Sequence, residues 1–60
     1  MTETEMQNLK KGTIVSSIFS GEKYEFDRLE RAGNGTLQAA CWRLKDDRLF
    51  WFTAESIKKG

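Results

Sequence analysis

The chain contains no histidine, no proline and a single cysteine, Cys41. Each scarcity removes a class of structure or chemistry. With no histidine and one thiol, neither a zinc site nor a histidine-based nucleophilic relay can be assembled. A lone cysteine closes no internal disulfide, and a free thiol suits a reducing, cytoplasmic setting. No apolar run approaches the roughly 18 residues of a membrane span. The acidic, polar start does not read as a signal peptide. No repeat, linker or low-complexity tract divides the 60 residues, which read as one small domain.

What is present has to compensate for these absences. A chain this short buries only roughly 60 % of the surface its unfolded form exposes. With neither disulfide nor metal, stability must come from aromatic burial or from association. The aromatic residues are Phe19, Tyr24, Phe26, Trp42, Phe50, Trp51 and Phe52. Net charge is +1, which favours no partner class. The charge is uneven, however: Glu3 and Glu5 stand alone at the start, and all ten bases lie from Lys10 onward.

Residues 1–9 are polar, with threonine and glutamate alternating, and are expected to be a flexible N-terminal segment. Residues 10–60 form the folded unit. Glycines at 12, 21, 33, 35 and 60 punctuate runs of strand-like composition, an all-β signature. The expected strands cover residues 13–19, 23–31, 36–44 and 48–53. The tail "TAESIKK" suggests one helical turn and a short strand centred on Ile57. Residues 21–32 also admit a helix, because "GEKYEFDRLERAG" is rich in helix formers and ends at glycine. Tyr24 and Phe26 would share a strand face but diverge by about 200° on a helix, which favours the strand.

Cross-strand pairing tests the register. A three-residue loop at 33–35 sets Phe26 opposite Trp42, Tyr24 opposite Leu44, Leu29 opposite Ala39 and Glu25 opposite Arg43. A two-residue loop at Asn34-Gly35 sets Phe26 against Arg43 and Asp27 against Trp42, which is worse. A tight turn at Asp46-Asp47 then sets Leu44 opposite Leu49, Trp42 opposite Trp51 and Cys41 opposite Phe52. The meander has two apolar faces. One carries Tyr24, Phe26, Trp42, Leu44, Leu49 and Trp51; the other carries Leu29, Leu37, Ala39, Cys41, Phe50 and Phe52. So short a chain cannot cover both. Either the sheet curls around one face, or the other face meets another molecule.

"KKGTIV" is similar to the K-G-x-x-V start of SH3-like barrels, and "LFWFTAESIKK" resembles their close: strand four, one helical turn, strand five. "CWRLKDDRLFWFTAESI" is also similar to the endings of small single-barrel proteins of bacteria and their phages. The resemblance spans residues 10–59. It implies an all-β barrel of four to five antiparallel strands that binds protein, RNA or DNA. "SSIFSGEK" and "FTAE" stand where proline-peptide SH3 domains carry an aromatic pair and a proline, so the resemblance does not extend to proline motifs.

The residues suited to binding are Tyr24, Phe26, Trp42 and Trp51 as an aromatic patch, with Arg28, Arg43 and Arg48 as a polar rim. If the second face is inside, that patch is outside and exceeds what a soluble monomer usually exposes. A protein partner is the first expectation. A nucleic acid stacked on the rings with its phosphates on the bases is the second, and a homodimer is the third. Cys41 reads as a small buried hydrophobe, with no base nearby to activate it. Asp46-Asp47 reads as a turn. No catalytic set survives, so the chain reads as a non-enzyme with no cofactor.

Overall fold

The computed structural model describes residues 1–60. A short helix, α1 (Glu3–Gln7), precedes five strands: β1 (Ile14–Ser17), β2 (Lys23–Arg31), β3 (Leu37–Arg43), β4 (Leu49–Phe52) and β5 (Ile57–Lys59). A 3-10 turn, Ala54–Ser56, separates the last two. All pairings are antiparallel, in the order β4-β3-β2-β1-β5. The expected all-β fold is what forms, and residues 23–31 are a strand rather than a helix. The first strand is shorter than expected. It stops at Ser17, whose Oγ accepts from the Phe19 and Ser20 amides while its carbonyl accepts from Gly21. That local bonding competes with the ladder and turns the chain. Gly21, at φ +74°, supplies the left-handed step.

The β2–β3 register follows the three-residue loop only as far as Arg28. Ala32 donates to the Thr36 carbonyl across the loop, and Leu29 lies opposite Ala39. Between Phe26 and Arg28 the ladder shifts, because Asp27 is a bulge with no partner of its own. Beyond it Phe26 faces Cys41, Glu25 faces Trp42 and Tyr24 faces Arg43, each one residue away from the expected pairing. A one-residue slip exchanges sheet faces. Tyr24 and Phe26 therefore join the Leu37, Ala39 and Cys41 side, and both are buried. An unbroken ladder would instead have put the Asp27 carboxylate opposite Cys41 in the apolar interior, at high desolvation cost. Out of the ladder, Asp27 reaches Arg28 at 2.5 Å and Lys11 at 3.4 Å.

The core joins Met6, Val15, Tyr24, Phe26, Leu37, Ala39, Cys41 and Ile57. Phe50 and Phe52 pack on it, and the Tyr24 ring stands edge-on to both, with centroids 5.8 and 4.7 Å away. Met6 corrects the expectation of a flexible start. Thr2 caps α1 in a reciprocal box: Glu5 N–H donates to Thr2 Oγ1 at 3.1 Å, and Thr2 N–H donates to Glu5 Oε1 at 2.8 Å. A helix this short is not stable alone. It is held by the fully buried Met6 and by the Met1 amino group, which donates to the Ala54 and Ile57 carbonyls. Replacing Met6 with alanine should cost about 2–4 kcal/mol, a large fraction of the stability of so small a domain. Urea unfolding of the Met6→Ala variant measures this. A variant within about 0.5 kcal/mol of the parent would mean that α1 is not part of the core.

Candidate interaction surface

The outer face of the sheet is built by the residues that alternate with the core. Across β2, β3 and β4 one row runs Arg28, Ala40, Trp51, and the next runs Glu25, Trp42, Leu49. The β3–β4 pairing is offset by two from the tight-turn register, because the loop takes four residues, 44–47, closed by the Arg43 N–H to Arg48 carbonyl bond at 2.8 Å. Asp47 adopts φ +56° in that loop, a conformation that aspartate tolerates better than most residues. An offset of two preserves faces. Trp42 and Trp51 therefore share the outer face as diagonal neighbours rather than directly opposed.

Trp42 is 38 % exposed and Trp51 49 %. Ala40 has no exposure although it lies on this outer face, since larger side chains on both neighbouring strands close over it. Trp51 is oriented by a polar string: its Nε1–H donates to Glu30 Oε1 at 3.0 Å, and the other Glu30 oxygen accepts from Arg28 Nε at 2.7 Å. One indole is thus pinned at its polar end while its ring remains open.

The expected site residues divide. Trp42, Trp51 and Arg28 lie together on the outer face, whereas Arg48, just before β4 and opposite Arg43, falls on the other parity with its side chain 75 % exposed. Tyr24 and Phe26 do not join them; the bulge at Asp27 has carried both into the core. Arg43 also falls on the core-side parity, at the end of the sheet. Its guanidinium grips Asp46 with two bonds, 2.9 and 2.6 Å, and lies 4.5 Å over the Phe50 ring. It closes the β3–β4 loop rather than serving as a free rim charge. Four exposed apolar residues fall outside the expected set, the first being Ile14 on β1, opposite Glu25. Ile18 and Phe19 (81 % exposed) occupy the β1–β2 turn, and Leu44 lies in the β3–β4 loop that bonds to Lys23. The apolar pair between Ser17 and Ser20 was the available signal, and assigning it to a strand hid it.

Charge around the surface is largely self-satisfied. Hydrogen bonds from Arg28 hold the Asp27 carboxyl below its usual range, and those from Arg43 do the same for Asp46. The Thr2 amide does so for Glu5. Carboxyl groups with depressed folded-state pKa values stabilise the fold above their ordinary range and lose that contribution as pH falls through it. Thermal stability should therefore decline below about pH 4.5, after a flat stretch from about pH 5 to 7. Melting curves across that range check the sign. A decline beginning near pH 6 would contradict it.

Cys41 is enclosed, and burial pushes its thiol up to about 11, with the nearby Asp27 charge adding to the effect. Thiol-reagent labelling at pH 8 should be about a hundredfold slower in the native protein than in urea. Equal rates would show an open or activated thiol. No helix is long and apolar enough to cross a membrane. Comparison of the chain with protein-family models, curated proteins and solved structures finds no match.

Proposed function

We propose that this chain is a non-catalytic, SH3-like binding module that engages a protein partner through the outer face of β3 and β4. Trp42 and Trp51 are the anchors, Arg28 is the polar rim on that face, and the exposed Arg48 stands at its edge. The carrying observation is the pair of open indoles side by side on one face, around a buried Ala40 and beside Leu49. Large amphipathic rings of this kind dominate interface energetics. The strand order and the 3-10 turn between β4 and β5 support the SH3-like likeness. The buried, unreactive thiol suits a cytoplasmic setting.

Nucleic-acid binding is the weaker reading on charge grounds. Arg28 is taken by Asp27 and Glu30, Arg43 by Asp46, and Lys45 by Glu22. Arg48, 3.6 Å from Asp46, is only loosely held, but it has the parity of Phe50 rather than of the indoles. A phosphate backbone needs several uncommitted cations. Iodide quenching of tryptophan fluorescence tests the site directly. At micromolar concentration both indoles should be quenchable, and Trp42→Ala and Trp51→Ala should each keep stability within about 1 kcal/mol of the parent. Blue-shifted, unquenched emission at every dilution would place both rings in the core and overturn the reading.

A further inference from the structure

The two edges of the sheet are finished differently. β5 carries Lys58 and Lys59, and its Ile57 carbonyl accepts from the Met1 amino group at 2.8 Å. Lysines and a covering segment are common means of blocking strand addition. β4 has neither. Leu49-Phe50-Trp51-Phe52 contains no charge, and none of the four residues is buried. Antiparallel bonding alternates from the Arg43–Arg48 bond. Phe50 and Phe52 thus direct their main-chain groups at β3, and Leu49 and Trp51 direct theirs outward, where no further strand lies.

We propose that a second copy of this chain occupies this edge, with β4 pairing antiparallel to β4 of the other molecule about a two-fold axis through Phe50. The inference rests on the reading of β3 and β4 as an interaction surface and names the partner. The register follows from which groups are free. Pairing Leu49 with the other copy's Trp51, twice by symmetry, uses every outward group of β4. Centring on Trp51 would need the Thr53 carbonyl, which already accepts from Ser56 at 3.0 Å. Centring on Leu49 would bring in Asp47, whose positive φ ends the extended chain.

Charge is complementary in an antiparallel pairing of the two edges. Arg48 lies at one end of the edge, and Glu55, just past the other end, is exposed and enters no ion pair within the chain. An antiparallel two-fold brings each Arg48 beside the other copy's Phe52, about 7 Å from the axis at the rise of a strand. The other copy's Glu55 lies three residues further along, towards the reach of the long arginine side chain. The pairing also joins the two outer faces into one stripe, Trp42, Leu49 and then the other copy's Trp51. Such an isologous contact closes on itself and leaves no edge to propagate.

Sedimentation equilibrium of the full chain from micromolar to millimolar concentration tests this, with two kinds of variant. Leu49→Pro removes an outward N–H and no β3–β4 bond, and should leave a folded monomer. Arg48→Glu leaves the backbone untouched and should weaken dimerisation roughly three- to tenfold, with Arg48→Glu plus Glu55→Arg restoring it. A monomer at millimolar concentration overturns the proposal; if its tryptophans remain open to iodide, the interaction surface stands and only its partner is wrong. A dimer indifferent to both Leu49→Pro and Arg48→Glu uses another surface, which overturns the proposal equally.

Discussion

A β-strand presents its side chains with a period of two, so inserting one unpaired residue exchanges the faces of everything beyond it. In this molecule the inserted residue is Asp27, and the rest of the structure depends on it. On the Leu29 side of the bulge, β2 contributes Leu29 to the core. On the Tyr24 side, it contributes Tyr24 and Phe26. Without the shift, the Asp27 and Glu25 carboxylates would fall on the core side and two aromatic rings outside, a double penalty in a domain with so few buried groups. The bulge also bends β2 where its other edge meets β1: Phe26 N–H donates to the Thr13 carbonyl, and Gly12 N–H donates to the Phe26 carbonyl, both at 2.8 Å. Local bending of this kind lets a single sheet curl over its own core.

Size sets the second constraint. Once Tyr24 and Phe26 turn inward, the interior holds enough aromatic area to be a core, and Met6 closes it from α1. Trp42, Leu49 and Trp51 are then surplus. Nothing in the remaining chain is long enough to cover them. The ion pairs do not compensate by spreading charge over the area, because they knit it locally: Asp27, Arg28, Glu30 and Trp51 form one string, and Arg43 and Asp46 form a separate clasp. The result is an apolar surface whose polar neighbours are already committed to one another. Such a surface favours an apolar partner over a highly charged one.

Much of this was legible in the residues. The spans of the strands followed from glycine placement and β-branched or aromatic composition, and residues 23–31 were placed correctly. The division of β3 and β4 into a Leu37/Ala39/Cys41/Phe50/Phe52 side and a Trp42/Leu49/Trp51 side was visible because a register error of two preserves parity. The bulge was missed for the opposite reason: an error of one does not. Its trace was there, since Tyr24 and Phe26 share one parity and Leu29 has the other, which no continuous half-buried strand would choose. The N-terminal helix was missed because composition outweighed pattern. "TETE" is a threonine-x-x-glutamate capping box, but its single buried anchor, Met6, becomes meaningful only once the core it fills exists. Arg43 was grouped with the rim for its charge, although its place next to Trp42 in β3 already set it on the opposite face.

β4 concentrates these constraints. Its inward residues, Phe50 and Phe52, are only half covered, since they lie at the edge of the sheet and not over its middle. Its outward residues, Leu49 and Trp51, belong to the uncovered face. Its backbone has bonding partners on one side only. A strand serving one face alone would alternate polar and apolar residues, and a strand meant to remain a free edge would carry charge, as β5 does with Lys58 and Lys59. The unbroken apolar run satisfies neither pattern. It suits a strand that still has a neighbour to gain, whose pairing would cover the half-buried phenylalanines and extend the tryptophan face in a single step.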